Sequence, residues 1–329
     1  MWIALTGDVM LGRLVDEQVV RNQALPPKTV WGDVLPVLLQ ADLRLINLEC
    51  VVSAHGRPWR PQTKAFHFRA HPRAIDVLQA ARVDCVTLAN NHVLDYGHGG
   101  LAECLQLLER AGIRHTGSGT NLDEAASPAL LGGPTARVAV LALTDNEPEW
   151  AASHSKAGIH YVEYDATGLV EPHRTRVARV LAQARRQAQL VIVSAHVGPN
   201  WGEPSPAIRA LAHHLLALGA DVYWGHSNHT PRGIEIINGK VILYSTGDFV
   251  DDYAVDPEER NDLSFLFLID TDGGQVRAVH LRPVAIHDCR VRLARGLEVS
   301  FLNERMGRYC AALGTAVGFH AGVVTVSVG

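Results

Sequence analysis

The chain has 329 residues, 47% of them hydrophobic, and a formal net charge of −4, which supports a large buried core and excludes a disordered chain. Only Lys28, Lys64, Lys156 and Lys240 are lysines; the arginines are scattered without a basic block or a basic and aromatic stripe, which argues against a nucleic-acid partner. No apolar run approaches the roughly 18 residues needed to span a bilayer, so no membrane partner is expected. Cys50, Cys85, Cys104, Cys289 and Cys310 contain no C-x-x-C pair and are odd in number, so reduced, buried thiols are expected. "MWIALTGDVMLG" reaches Gly7 and Asp8 too early for a signal-peptide core, and a cytoplasmic location is expected.

Along the chain, short apolar runs at 2–7, 43–49, 84–90, 137–143, 190–196 and 220–226 read as buried strands. Helical patterns at 71–82, 98–112, 173–187 and 206–219 separate several of them, two ending at Gly112 and Gly219. Residues 64–72 alternate like a strand, 197–206 form a Gly- and Pro-rich rim loop, and the acidic stretch 247–262 reads as a solvated loop. From about 233 strands dominate, and Asn238-Gly239 between two of them is a hairpin signal. A helix around "LNERMGRYCAALG" is expected to cover one face. The pattern predicts a layered α/β sandwich in one domain over 1–329, with an appendage from about 290.

Polar residues gather where the strands end. Asp8 closes the first, Asn47 and Glu49 the second, Asn91 and His92 follow the third, and His196, His226 and His229 close two later ones. Taken singly, each has an ordinary explanation as a cap, an arginine partner or a satisfied imidazole. Five strand ends behaving alike point to one site, because ligands in α/β sheets bind where the carboxyl ends of strands converge. These residue types are hard and borderline metal ligands or acid-base groups. His98, His154, His160, His173, His213, His214, His280, His287 and His320 lack that context and read as structural or surface residues.

"GDVMLGR", "INLE", "LANNHVLDYGHGGL", "SAHVG" and "GHSNHTPRGIEIINGKVILYSTGDF", in this order, resemble the CapA, or poly-gamma-glutamate capsule synthesis, family of the calcineurin-like metallophosphoesterase superfamily. The resemblance runs from residue 3 to about 285. It implies a four-layered αββα sandwich with mixed sheets. The superfamily's first motif, Asp followed two residues later by His, falls on Asp8 and Met10. A thioether does not replace imidazole for a hard or borderline ion, so one metal fits better than two. Glu49 would be the bridging carboxylate with Asn47 beside it, and the Asn-His motif falls on Asn91 and His92. His196 matches the isolated His, and the terminal Gly-His-x-His motif falls on Gly225 to His229, here with two residues between the histidines. By the resemblance, Glu49, Asn91, His196 and His226 would hold one Mn, Fe or Zn ion, and Asp8, Glu49 and His229 would leave a second position short.

With a metal, the implied chemistry is hydrolysis of a phosphoester or of a peptide or gamma-glutamyl-type bond. The ion activates a water and stabilises developing charge, while His92, oriented by Asp95, protonates the leaving group. The alternative is metal-independent epimerisation at a peptide Cα, similar to CapA-like proteins of peptide natural-product clusters. Asp8 facing His226 or His92 would then be the acid-base pair, with Lys64 or Arg13 polarising the carbonyl and no cofactor. That reading requires burial or coupling to raise the Asp8 pKa from its reference of about 4. A third possibility is a binding protein whose chemistry has lapsed. Trp201 and Glu203 on the rim loop are candidate contacts to a small-molecule or peptide substrate. Asp248 stands where the family often has Asn, which puts a polar role there in doubt.

Overall fold

Trp2–Val9, Leu43–Leu48, Val138–Thr144, Leu190–His196 and Val222–His226 form strands buried on both faces almost throughout. A strand covered on both sides has no solvent face to make polar, so it reads as near-continuous apolar sequence. The computed structural model describes residues 1–60, 64–133 and 136–328, and there the strands assemble into two main sheets. The first has ten strands. Its main path runs 318–320, 323–327, 275–287, 263–272, 2–9, 43–48, 85–87, 114–116, with 248–250 beside 2–9 and 290–293 beside 275–287. The second runs 234–237, 240–243, 222–226, 190–196, 138–144, 129–131, parallel in its middle and antiparallel at both edges.

Successive residues of a strand face opposite sides, and here they enter different cores. Ile3, Leu5, Val138, Val140, Leu190, Ile192 and Trp224 pack between the sheets. Ala4, Ile46 and Val86 pack with the helices Ala74–Ala80 and Gly97–Arg110, and Ala139, Leu141, Val191 and Val193 with His173–Gln187 and Pro206–Ala217. The result is the four-layered αββα sandwich. Local signals agree with it. Ser205 caps the helix Pro206–Ala217 by accepting the Ile208 N–H at 3.2 Å. Asn238 and Gly239 both take positive φ, 52° and 75°, the geometry of a two-residue hairpin turn.

Beyond residue 290 the chain adds strands to the first sheet. Leu302, Met306 and Cys310 of the helix Leu297–Ala312 pack into the layer between the sheets. The helix thus covers the first sheet where the shorter second one does not reach. All five cysteines are buried and free, and among the described residues no helix is long and apolar enough to cross a membrane.

Two readings of the sequence need correction. Between 64 and 72 only Arg69–Ala70 is a strand, because the Phe68 N–H donates to a side chain, Asp95 Oδ2, at 2.7 Å instead of joining a ladder. The acidic stretch 247–262 is solvated only at 254–258. Asp248–Val250 is a buried strand lying parallel to Trp2–Val9, and Asp251 is buried as well. Acidic composition misleads there because the carboxylates face the site.

His160 yields a stability prediction. It is fully buried, with Nδ1 2.9 Å from the Ala142 carbonyl, and burial, with the Arg176 charge, pushes its pKa down to about 3. Below the ordinary imidazole value the unfolded chain takes up a proton that the folded one refuses, so stability falls with pH from about 6.5 towards the folded pKa. The loss expected is about 2 kcal/mol between pH 7 and 5. Urea midpoints at the two pH values should show a smaller pH loss for His160→Gln than for the parent; equal losses would refute the assignment.

Candidate metal centre

The carboxyl ends of Trp2–Val9 and Leu43–Leu48 from one sheet, and of Leu190–His196 and Val222–His226 from the other, converge at one end of the sandwich. Asp8, Glu49 and His196 meet there, all buried, with one ligand atom from each lying within 4.8 Å of the others. Asn47 is the hub. Its Nδ2 donates to Asp8 Oδ1 at 2.8 Å and lies 3.3 Å from His196 Nδ1, while its Oδ1 accepts the Thr87 hydroxyl at 3.0 Å and Asn90 Nδ2 at 3.2 Å. His196 Nε2 is 3.8 Å from Glu49 Oε1. His226 Nδ1 is taken by Asp8 Oδ1 at 2.6 Å, and its Nε2 is buried without a partner.

The Asn-His segment forms the adjoining wall. Asn90 Oδ1 accepts the His92 N–H at 3.0 Å, and the Asn91 side-chain oxygen is buried with no partner. His92 stacks on Phe68 with ring centroids 3.8 Å apart, and its Nδ1 donates to Asp95 Oδ2 at 2.6 Å. Lys64, its side chain 14% exposed, belongs to the same wall. Its ammonium pairs with Asp95 at 2.8 Å and Glu147 at 3.0 Å, reaches the Asn91 carbonyl, and lies 4.2 Å from the centre of Trp150.

A cavity of about 390 Å³ opens beside these groups, lined among others by Arg13, Glu49, Asn91, His92, Trp201 and Tyr253. Trp201, 41% exposed, is a rim residue 5.4 Å from the His229 ring. Glu203 turns the other way, towards Arg232 at 3.4 Å, because the buried Arg232 guanidinium draws it off the rim. Met10 is withdrawn too: it packs in the core under the first sheet, and its sulfur accepts the Gly12 N–H at 3.0 Å.

Sequence reasoning missed Asp248, which is 1% exposed and accepts His229 Nδ1 at 2.9 Å. The signal was present, since Thr6-Gly7-Asp8 and Thr246-Gly247-Asp248 are the same tripeptide at two strand ends, and Asp8 and Asp248 are register partners. A Cβ on Gly7 would meet the Gly247 carbonyl oxygen at 2.1 Å, so the two backbones can approach this closely only without it. Asp251 was missed as well, and Tyr253, whose hydroxyl donates to Glu49 Oε2 at 3.3 Å.

The electrostatics suit a cation. Burial, reinforced by the Asp8 charge, pushes Glu49 well above the usual carboxylate range, and burial does the same to Asp248 and Asp251. For Asp8 burial alone would act upward, but the His226 charge and hydrogen bond, with His196 and Asn47, bring it down to about 2. Burial holds His196 down at about 3 despite Asp8, so its imidazole is neutral, as a metal ligand must be. Two carboxylates, a neutral imidazole and the unpartnered Asn91 oxygen form a donor set suited to a borderline divalent ion, and His226 Nε2 can join it once that ring gives up its proton. Asp8 and His196, which the motif resemblance assigns to two positions, each bring a ligand atom within 4.8 Å of Glu49, the carboxylate that it places between them.

Residues 2–253 match the family model described as bacterial capsule synthesis protein PGA_cap. The chain belongs to this capsule synthesis family. Within it, the chain is 34% identical to a probable polyglutamine synthesis accessory protein of Mycobacterium tuberculosis, over 96% of this chain and 92% of the relative. It is 26% identical to the PGA biosynthesis protein CapA of Bacillus subtilis, over 76% of this chain and 63% of the relative. With the capsule biosynthesis protein CapA of Bacillus anthracis the identity is 28%, over 76% and 59%. The family match stops at residue 253, which leaves Leu263–Asp272, Gln275–His287 and the helix Leu297–Ala312 outside it.

Proposed function

We propose that this chain is a metal-dependent hydrolase of a peptide or gamma-glutamyl-type bond, or of a phosphoester. The observation that carries the proposal is the convergence of Asp8, Glu49 and His196 within 4.8 Å, beside buried Asn91 and His226 atoms that have no protein partner. The names of the mycobacterial and Bacillus relatives, which refer to polyglutamine and PGA synthesis, favour the glutamyl-type bond.

A divalent ion held there would supply Lewis acidity and a more acidic water. Asn47 holds Asp8 and His196 in place from behind. Asp95 accepts His92 Nδ1–H, and burial lowers the pKa of the ring, so its free Nε2 takes the proton released by the attacking water and passes it to the leaving group. Phe68 against the ring and Lys64 on Asp95 fix that orientation.

Epimerisation by an Asp8 and His226 pair has less support. The two side chains are hydrogen-bonded to each other at 2.6 Å, so they do not straddle a stereocentre. Asp8, which His226 holds below the usual carboxylate range, is also a weak base for a carbon acid. The test is a hydrolysis screen with bis(p-nitrophenyl) phosphate and gamma-glutamyl anilides on protein stripped by chelator and reloaded with Mn or Zn. Activity should vanish on stripping and return on reloading. Full activity in protein shown by elemental analysis to be metal-free would end the proposal.

A further inference from the structure

The cavity beside the metal centre holds two cations, Arg13 and Lys64. Lys64 is committed to Asp95 and Glu147. Arg13 is not: it makes an ion pair from Nε to Asp252 Oδ1 at 3.4 Å, too long for a hydrogen bond, and its side chain is 36% exposed. Its two terminal amino groups donate no hydrogen bond among the described residues.

The guanidinium is nonetheless held in place. Its central carbon lies 5.6 Å from the centres of Phe66 and Phe68 and 5.9 Å from Tyr253. Three aromatic faces around one cation restrict its plane and shield it from water without using its hydrogen-bond donors. Asp252 is itself anchored, its Oδ2 accepting the Leu14 N–H at 2.8 Å, so its charge stays on the Nε side and the terminal fork is left over. Phe68 carries His92 stacked against it, which sets the fork one ring away from the proposed proton donor. Phe66, 60% exposed, extends the apolar wall at the mouth.

We infer that Arg13 is the specificity-determining residue of this site, receiving through its free terminal amino groups a negatively charged oxygen group that the substrate carries beside the bond to be cleaved. A planar fork pairs with a carboxylate or a phosphate through two parallel hydrogen bonds. The substrate class is therefore one with a second anion flanking the reacting group, and neutral analogues are discriminated against. The inference rests on the hydrolase reading only for which end of the cavity reacts.

The experiment is calorimetric titration of chelator-treated protein with N-acetyl-gamma-glutamylglutamate, with its uncharged triamide, and with pyrophosphate. One of the two anions is expected to bind saturably, and which one does identifies the group as carboxylate or phosphate. Arg13→Gln should weaken that binding by about 10-fold or more, and Arg13→Lys should recover part of it. Binding of the triamide, if any, should be indifferent to Arg13→Gln. The inference is overturned if neither anion binds the parent protein, if Arg13→Gln binds the anion as tightly, or if the triamide loses as much. Melting curves check that both variants fold. Since the readout is binding without metal, a failed hydrolysis screen leaves this result intact, and a failed titration leaves the metal test of hydrolysis untouched.

Discussion

Glu49→Gln is expected to strip the protein of its divalent ion while making the metal-free protein more stable. The glutamine keeps the size of the side chain and a side-chain acceptor for the Tyr253 hydroxyl, but removes the charge that faces His196 across 3.8 Å. Losing an anionic ligand should cost more than the 10- to 100-fold in metal affinity that changes in supporting groups typically cost, so roughly 100-fold is a lower bound. The opposite effect on stability follows from the raised Glu49 pKa, caused by burial and by Asp8. A carboxyl whose folded pKa lies above its unfolded value favours folding when protonated, and that advantage is lost as pH rises through the folded value. At neutral pH the folding metal-free parent must either bury that charge or take up a proton to avoid it, a cost that Glu49→Gln lacks, and the variant should gain on the order of 1 kcal/mol or more. The gain should disappear below about pH 4, where the parent carboxyl is protonated in both states. Elemental analysis, paired with melting in chelator at pH 7.5 and in acid, checks both halves. A variant retaining a full equivalent of metal would show that Glu49 is no ligand.

His92→Gln is the complementary case, with chemistry lost and metal kept. His92 is not a member of the Asp8, Glu49 and His196 group, so its replacement should leave metal content unchanged. Removal of a positioned proton donor should lower kcat by about 10²- to 10⁴-fold with little change in KM. Asp95→Asn should lower kcat by less, because the imidazole survives and an amide oxygen can still accept Nδ1–H, while the charge behind that 2.6 Å bond is lost. It should also cost stability, since Asp95 receives the Phe68 N–H and pairs with Lys64. Steady-state kinetics beside metal analysis separates the two effects; a kcat within twofold of the parent for His92→Gln would remove it from the mechanism.

Much of the sandwich can be read in the order of residues because the strands of both sheets are covered on two sides. Val138–Thr144 and Leu190–His196 have no solvent face, so each stands out as an apolar run whose polar residues mark where it leaves the core. That same boundary exposed Asp8, Glu49, Asn91, His92, His196 and His226. It failed for Asp248 and Asp251, where a locally acidic composition resembles a solvated loop and only the parallel pairing with Trp2–Val9 buries the carboxylates. It misjudged Glu203, since nothing local reveals that Arg232, distant in sequence, draws that side chain from the rim.

Local sequence thus settled which residues sit at strand ends, and which donors are available, because burial and turn chemistry act over a few residues. Tertiary structure decided how those donors are shared. Asp8 is claimed by His226 and Asn47, Lys64 by Asp95 and Glu147, and Arg13 keeps a free fork. Hydrogen bonds and ion pairs depend on distances of a few ångströms between segments brought together only by the packing of two sheets.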